Sequence, residues 1–294
     1  MIRGIVAGLA AGGLWGLVFV APRMAAGFSP VDLTAGRFLA YGLVALAALL
    51  AGAGTRRLPT FHQACAAAGM SLPGFTGYYL LLVLAIRDAG TEVPALVIGT
   101  IPLWVMLLGK PGDLRWRALA PGVALTATGL ALMMAAPASG QAGAHFLRGV
   151  ALAIASLACW TAFALLNSAW LKRHPQVSLT DWANWLGVAT GLGALGLWLA
   201  AGSAPAALLA QPGLGRFALL CAATGFGSAW LATILWNMAS RRLPASLCGQ
   251  LIVSETLFAL LYSFAWDGRW PTQAQAAACV LFTLGILASV KAHR

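Results

Sequence analysis

RGIVAGLAAGGLWG, residues 3–16, places glycine at every fourth position, Gly4, Gly8, Gly12 and Gly16, with Trp15 just before the last. In water a helix so rich in glycine is poorly favoured. In a bilayer the balance changes, because lipid tails are as apolar as leucine and helices associate by close packing. Small residues four apart fall on one helix face and let two backbones approach. The stretch therefore reads as a membrane helix wedged against a neighbour, and Gly187 and Gly191 repeat the device later. A smooth glycine face is also suited to letting one part of a bundle pivot on another.

The rest of the chain agrees. Of 294 residues, 61% are hydrophobic and 9% charged, against about 25% charged in soluble domains. Too few polar groups are present to cover a globule in water. Runs long enough to cross about 30 Å of hydrocarbon fall at 2–21, 31–52, 63–86, 91–109, 117–136, 149–171, 181–200, 215–239, 244–266 and 271–291. Pro22, Ser29-Pro30, Gly54, Pro111-Gly112, Pro137, Pro175, Pro212-Gly213 and Asp267-Gly268 punctuate them. The first run could be taken for a signal peptide, but the many comparable runs after it favour an uncleaved span.

The net charge of +11 sits in short clusters between apolar runs, as topology charges do, and not along one stripe as nucleic acid would require. Twelve Lys and Arg fall on the side of the N-terminus, the even-to-odd loops and the C-terminus, including Arg56 and Arg57. Five fall on the other side: Arg23, Arg87, Arg148, Arg216 and Arg269. That asymmetry predicts both termini in the cytoplasm. The five cysteines lie inside apolar runs without a Cys-x-x-Cys pair and read as small buried hydrophobes. The four histidines fall in loops or termini, and no zinc-protease helix, nucleophile elbow or paired mid-depth carboxylates are present. An enzyme is therefore not expected, nor a metal or cofactor. A channel would need a continuous polar pore, whereas the polar residues here are scattered.

The opening stretch has an echo. Arg3-Gly4 to Trp15 and Arg148-Gly149 to Trp160 share the same twelve-residue separation of Arg from Trp. Ala85-Ile86-Arg87 followed by Pro102-Leu103-Trp104 aligns with Ala239-Ser240-Arg241 followed by Thr256-Leu257-Phe258. The chain thus divides into a five-helix half at 1–137, a linker at 138–147 and a second half at 148–294. Since five is odd, the second half enters the membrane from the opposite face. Such inverted repeats are the architecture of secondary transporters, with substrate sites between the halves.

These residues resemble the EamA-type members of the drug/metabolite transporter (DMT) superfamily, with a Trp in the first helix of each half and an Ala-x-Arg before the fourth. Thr91-Glu92-Val93 ahead of the helix-4 proline and Trp236-Asn237 in helix 8 are similar to the YddG-type aromatic amino-acid exporters. The resemblance implies an all-α inner-membrane exporter of ten helices, and it raises Glu92 as a residue lining the exit. One departure is Glu255-Thr256, where many relatives carry Glu-Pro.

Candidate site residues follow from depth. Trp15 and Trp160 lie twelve residues past their arginines, roughly 18 Å along a helix, where an indole N–H seeks a polar cavity. Tyr78, Tyr79 and Trp236 are candidates for the same wall, and Asn237 for a cavity hydrogen bond. Glu255, eleven residues into its run, is near mid-bilayer, where a carboxylate is costly and marks a functional site. It suits contact with a substrate ammonium or exchange of a proton, or else, protonated and hydrogen-bonded, it holds helices together. Arg37 either snorkels outward, binds a substrate carboxylate or pairs with an acid. Pro73, Pro94 and Pro102 interrupt helices 3 and 4. Sparse central charge with several aromatics permits a small zwitterion with an apolar or aromatic side chain, argues against a highly phosphorylated substrate, and leaves lipophilic drugs and other metabolites open. Export of small neutral or aromatic amino acids is what the resemblance implies.

Overall fold

The computed structural model describes residues 1–19, 21–25, 27–52, 58–89, 92–112, 114–134, 145–268 and 270–293. Gly54, Arg56, Arg57, Pro137, most of the 138–147 linker, Arg269 and the side chain of Glu92 lie outside the described residues. All regular structure among the described residues is helical. The main helices are α1 Ile2–Gly16, α2 Pro30–Ala51, α3 Phe61–Ala89, α4 in two pieces Glu92–Gly99 and Ile101–Leu108, and α5 Trp116–Met134. They continue with α6 Phe146–Arg173, α7 Leu179–Ala201, α8 Leu214–Arg242, α9 Ala245–Asp267 and α10 Gln273–Ala292. Among the described residues, seven helices are long and apolar enough to cross a membrane, with Ile2–Gly16 and Val97–Leu108 shorter apolar helices. Their outward faces carry Leu50, Leu147, Leu199, Leu219 and Leu287, each at least 60% exposed. So much exposed leucine needs lipid to cover it.

The boundaries have local causes. Ser29 caps α2 by accepting from the Asp32 amide, with Pro30 at the first turn, where its missing N–H costs nothing. Thr60 with Gln63 and Thr272 with Gln275 form capping boxes at the starts of α3 and α10. Gly52 and Gly268 end α2 and α9 in the left-handed conformation that other residues resist. The α4 break falls at Thr100, just ahead of Pro102.

Two helices are widened mid-way. In α3 a π-helical segment, Leu72–Thr76, carries Pro73 in its first turn, where the ring removes a backbone donor. In α8 the π segment is Gly225–Leu231, without proline, and presses on α2: a Cβ on Gly225 would sit 2.8 Å from the Arg37 carbonyl oxygen.

The glycine face of α1 does what its spacing requires. A Cβ on Gly4 would meet Leu243 at 2.9 Å and one on Gly8 would meet Leu251 at 2.7 Å. At Gly12 it would run into the Ser254 hydroxyl and lie 3.1 Å from the Glu255 amide. The helix is thus seated in a seam between α8 and α9 that admits no side chain. Gly191 approaches Gly42 in the same way, closing α7 onto α2.

The principal helix pairings keep their pattern when the first five helices are exchanged for the last five. α2 packs on α7, α5 on α10 and α4 on α9, each pair mapping onto itself. The α3–α6 contact has its counterpart in α8–α1, α4–α6 in α9–α1, and α3–α7 in α8–α2.

Candidate functional site

The tryptophans singled out by depth come together. Trp15 of α1 meets Trp160 of α6 edge-on with ring centroids 6.0 Å apart, and Trp236 of α8 completes a triangle at 5.3 and 6.0 Å. Edge-to-face arrangement places the positive ring edge on a negative face, the favoured geometry for aromatic pairs. Phe163, one turn beyond Trp160, extends the wall to Phe75. Trp15 is half-buried, while Trp160 and Trp236 are closed off.

On one side of the triangle the bundle is sealed. Leu243, Leu247, Leu251 and Ala239 are buried below it. Asn237 is fully buried there, accepting from Asn167 Nδ2 at 3.0 Å, and Asn167 Oδ1 accepts from the Trp182 indole at 2.7 Å. Asn237 therefore faces a neighbouring helix in this conformation, not open space, although its Nδ2 and the Trp236 Nε1 have no acceptor among the described residues. Gln250, in the same half of α9, bonds to Thr126 and Ser289 and ties α9 to α5 and α10.

On the other side the packing loosens. Tyr78, Tyr79, Glu255 and Thr256 are half-buried although they lie in mid-helix. The Ser156 hydroxyl of α6 donates to the Tyr78 carbonyl at 2.9 Å and so fixes α3 beside Trp160. Arg37 does not reach outward. It is buried, lies 5.2 Å from the Phe38 ring centre and 5.7 Å from that of Tyr79, and hydrogen-bonds to Tyr79. Its Nε has no partner among the described residues. Arg37 of α2 and Glu255 of α9 lie within electrostatic range of one another across the bundle, with Tyr78 in range of both.

The arrangement brings a guanidinium and a carboxyl group from two helices into one aromatic-walled region. An ammonium and a carboxylate on one small molecule would each find a counter-charge there, and the rings offer apolar contact between them. Ser156, Phe163, Asn167 and Trp182 are not singled out by sequence. Only Asn167, an amide within an apolar run, carries a signal that could have found it. No group of three or more His, Cys, Asp or Glu suited to a metal occurs among the described residues.

Comparison with known proteins places the chain. Residues 2–111 match the EamA-like transporter family. Over 99% of its length the chain is 30% identical to the inner membrane protein YtfF of Escherichia coli (strain K12), covering 96% of that protein. The chain belongs to the EamA-like transporter family. It is thereby a member of the DMT superfamily, a membrane transporter of small metabolites and not an enzyme. A solved crystal structure 22% identical in sequence shares the fold, with a TM-score of 0.80 over 99% of this chain and 97% of its own.

Proposed function

We propose that this EamA-type transporter exports small neutral or aromatic amino acids across the inner membrane by alternating access. Ten membrane helices, arranged as inverted five-helix repeats at 1–137 and 148–294 with both termini cytoplasmic, would surround one central site. The exchange symmetry of the helix pairings and the π segments at matching places in α3 and α8 support that division. The inner-membrane location is supported by the relative YtfF.

The observation that carries the substrate class is Arg37, buried and turned inward against the Phe38 and Tyr79 rings, with Glu255 within electrostatic range on α9. Buried charges are tolerated when each has a partner, and removing one partner leaves the other uncompensated. A zwitterion inserted between them gives Arg37 its carboxylate and Glu255 its ammonium, while Trp15, Tyr78 and Tyr79 receive the side chain. Trp160 backs Trp15 from the second half. Trp236 and Asn237 belong to the sealed side and would meet substrate only when that side opens. Glu92 opens α4, and its assignment to the exit rests on the family resemblance alone. Glu255 is also the group suited to coupling transport to protons, because it can exchange a proton for a substrate ammonium.

Uptake of labelled phenylalanine and leucine into liposomes containing the purified protein, with and without a pH gradient, tests this reading. Saturable uptake competed by neutral and aromatic amino acids is the expected result. Absence of amino-acid uptake, with uptake of lipophilic drugs or other metabolites instead, would overturn the substrate class and leave the family and fold intact.

A further inference from the structure

The same helix junction is built twice in this molecule, with opposite electrostatics. At one end Arg148-Gly149 of α6 meets Arg87-Asp88-Ala89 of α3. A Cβ on Gly149 would lie 2.5 Å from the Ala89 Cβ, so the two helices touch there. Arg148 closes the junction by donating to both carboxylate oxygens of Asp88, from Nε at 2.6 Å and Nη2 at 3.1 Å. At the other end Arg3-Gly4 of α1 meets Arg241-Arg242-Leu243 of α8, with a Gly4 Cβ 2.9 Å from Leu243 and 3.2 Å from the Arg242 Cβ. The repeat offset that aligns Arg87 with Arg241 aligns Asp88 with Arg242. The carboxylate that neutralises the first junction is thus an arginine in the second.

Nothing replaces it among the described residues. Arg3 and Arg242 are exposed, line one open pocket of about 730 Å³ with Met1 and Ile2, and have no ion-pair or hydrogen-bond partner among the described residues. Arg241 is committed to the Val177 carbonyl. Arg242 also borders a second open pocket of about 540 Å³ with Lys172 and no acidic residue. Two guanidinium forks facing one open space are suited to the oxygens of a phosphate. The exposed apolar residues of the helix ends, Ile2 at 75% and Leu147 at 81%, mark both junctions as lying at the edge of the lipid-covered belt.

We propose that the α1–α8 junction binds the phosphate of an anionic phospholipid headgroup between Arg3 and Arg242, where Asp88 serves the α3–α6 junction. The bound phosphate removes the repulsion between the two arginines and fastens the sealed end of the bundle to the membrane surface. A lipid is favoured over a free anion because acyl chains can cover the apolar start of α1 while the headgroup is held.

The test is native mass spectrometry of the full-length protein titrated with phosphatidylglycerol, phosphatidylcholine or inorganic phosphate. Phosphatidylglycerol should be retained at low micromolar concentration and phosphatidylcholine should not. Arg242→Asp rebuilds the Arg–Asp pair of the other junction, so it should fold and weaken phosphatidylglycerol binding about tenfold or more, as expected for reversing one interfacial charge. Arg242→Lys should keep most of the binding. If Arg242→Asp does not fold, Arg242→Gln is read in its place, with loss of binding still expected. Equal retention of the two lipids, unchanged binding in the folded variants, or displacement of the lipid by millimolar inorganic phosphate would overturn the proposal.

Discussion

The two ends of α9 differ although one continuous helix joins them. From Leu247 to Ser254 every residue is buried, whereas Glu255 to Leu260 are half-buried. The earlier stretch lies under Gly8 and Gly12 of α1 and carries the Gln250 bonds to α5 and α10, while Gly16 continues the seam onto Phe258 and Ala259 of the later one. The later stretch opens with Glu255, which lies within electrostatic reach of Arg37 and Tyr78 across the bundle. Glu255 sits at the change-over. Burial is complete on one side of Glu255 and partial on the other while α1 touches both, which is what the proposed transport cycle requires of a carboxyl group at the floor of an access route.

The largest expected effect breaks the open side. Arg37→Gln and Glu255→Gln should each lower transport about a hundredfold, in the range seen when one partner of a buried charge pair is removed. The single variants should also lose thermal stability, because the other charge is left uncompensated. The double variant Arg37→Gln/Glu255→Gln should regain stability without regaining transport, which melting and liposome uptake read separately. Full uptake by either single variant would show that the pair is only structural.

The next effect falls on the sealed side. Gly12→Leu forces a side chain against the Ser254 hydroxyl and the α9 backbone, and overpacking of this kind costs about 1–3 kcal/mol or more. A lowered melting temperature and reduced yield are expected, with Gly13→Ala, which meets only the Phe258 ring at 3.6 Å, as the tolerated neighbour. Asn237→Ala leaves Asn167 Nδ2 buried without its acceptor and should cost about 1–3 kcal/mol, measured as reduced stability in detergent. The smallest effect is Trp15→Ala. It should raise KM for aromatic substrates about tenfold, consistent with losing one aromatic contact and its buried area, and change KM for alanine less.

Much of this contrast is legible in sequence. The four-residue glycine register announces the tight seam of α1, the Arg-to-Trp spacing brings Trp15 and Trp160 to one depth, and Glu255 stands out because a mid-bilayer carboxylate is expensive. Pro73 marks the place where α3 widens. The remainder depends on partners supplied by distant helices. The π segment of α8 has no proline to announce it and arises where Gly225 meets the α2 backbone. Whether Arg37 snorkels or turns inward depends on Tyr79 waiting across the bundle. Asn237 reads as a cavity residue in sequence, and only the fold supplies Asn167 as its partner. Side-chain chemistry is readable one helix at a time, whereas its satisfaction is not.

The most direct test of the two-sided account is thiol labelling in sealed vesicles. Cys65, Cys159, Cys221, Cys248 and Cys279 are replaced by alanine or serine, and single cysteines are introduced as Thr256→Cys and Leu251→Cys. A membrane-impermeant reagent should modify Thr256→Cys rapidly from the periplasmic face, with phenylalanine slowing the reaction, while Leu251→Cys stays protected until transport begins. Rapid labelling of Leu251→Cys with protection of Thr256→Cys, in the absence of substrate, would contradict the assignment of the sealed and open ends.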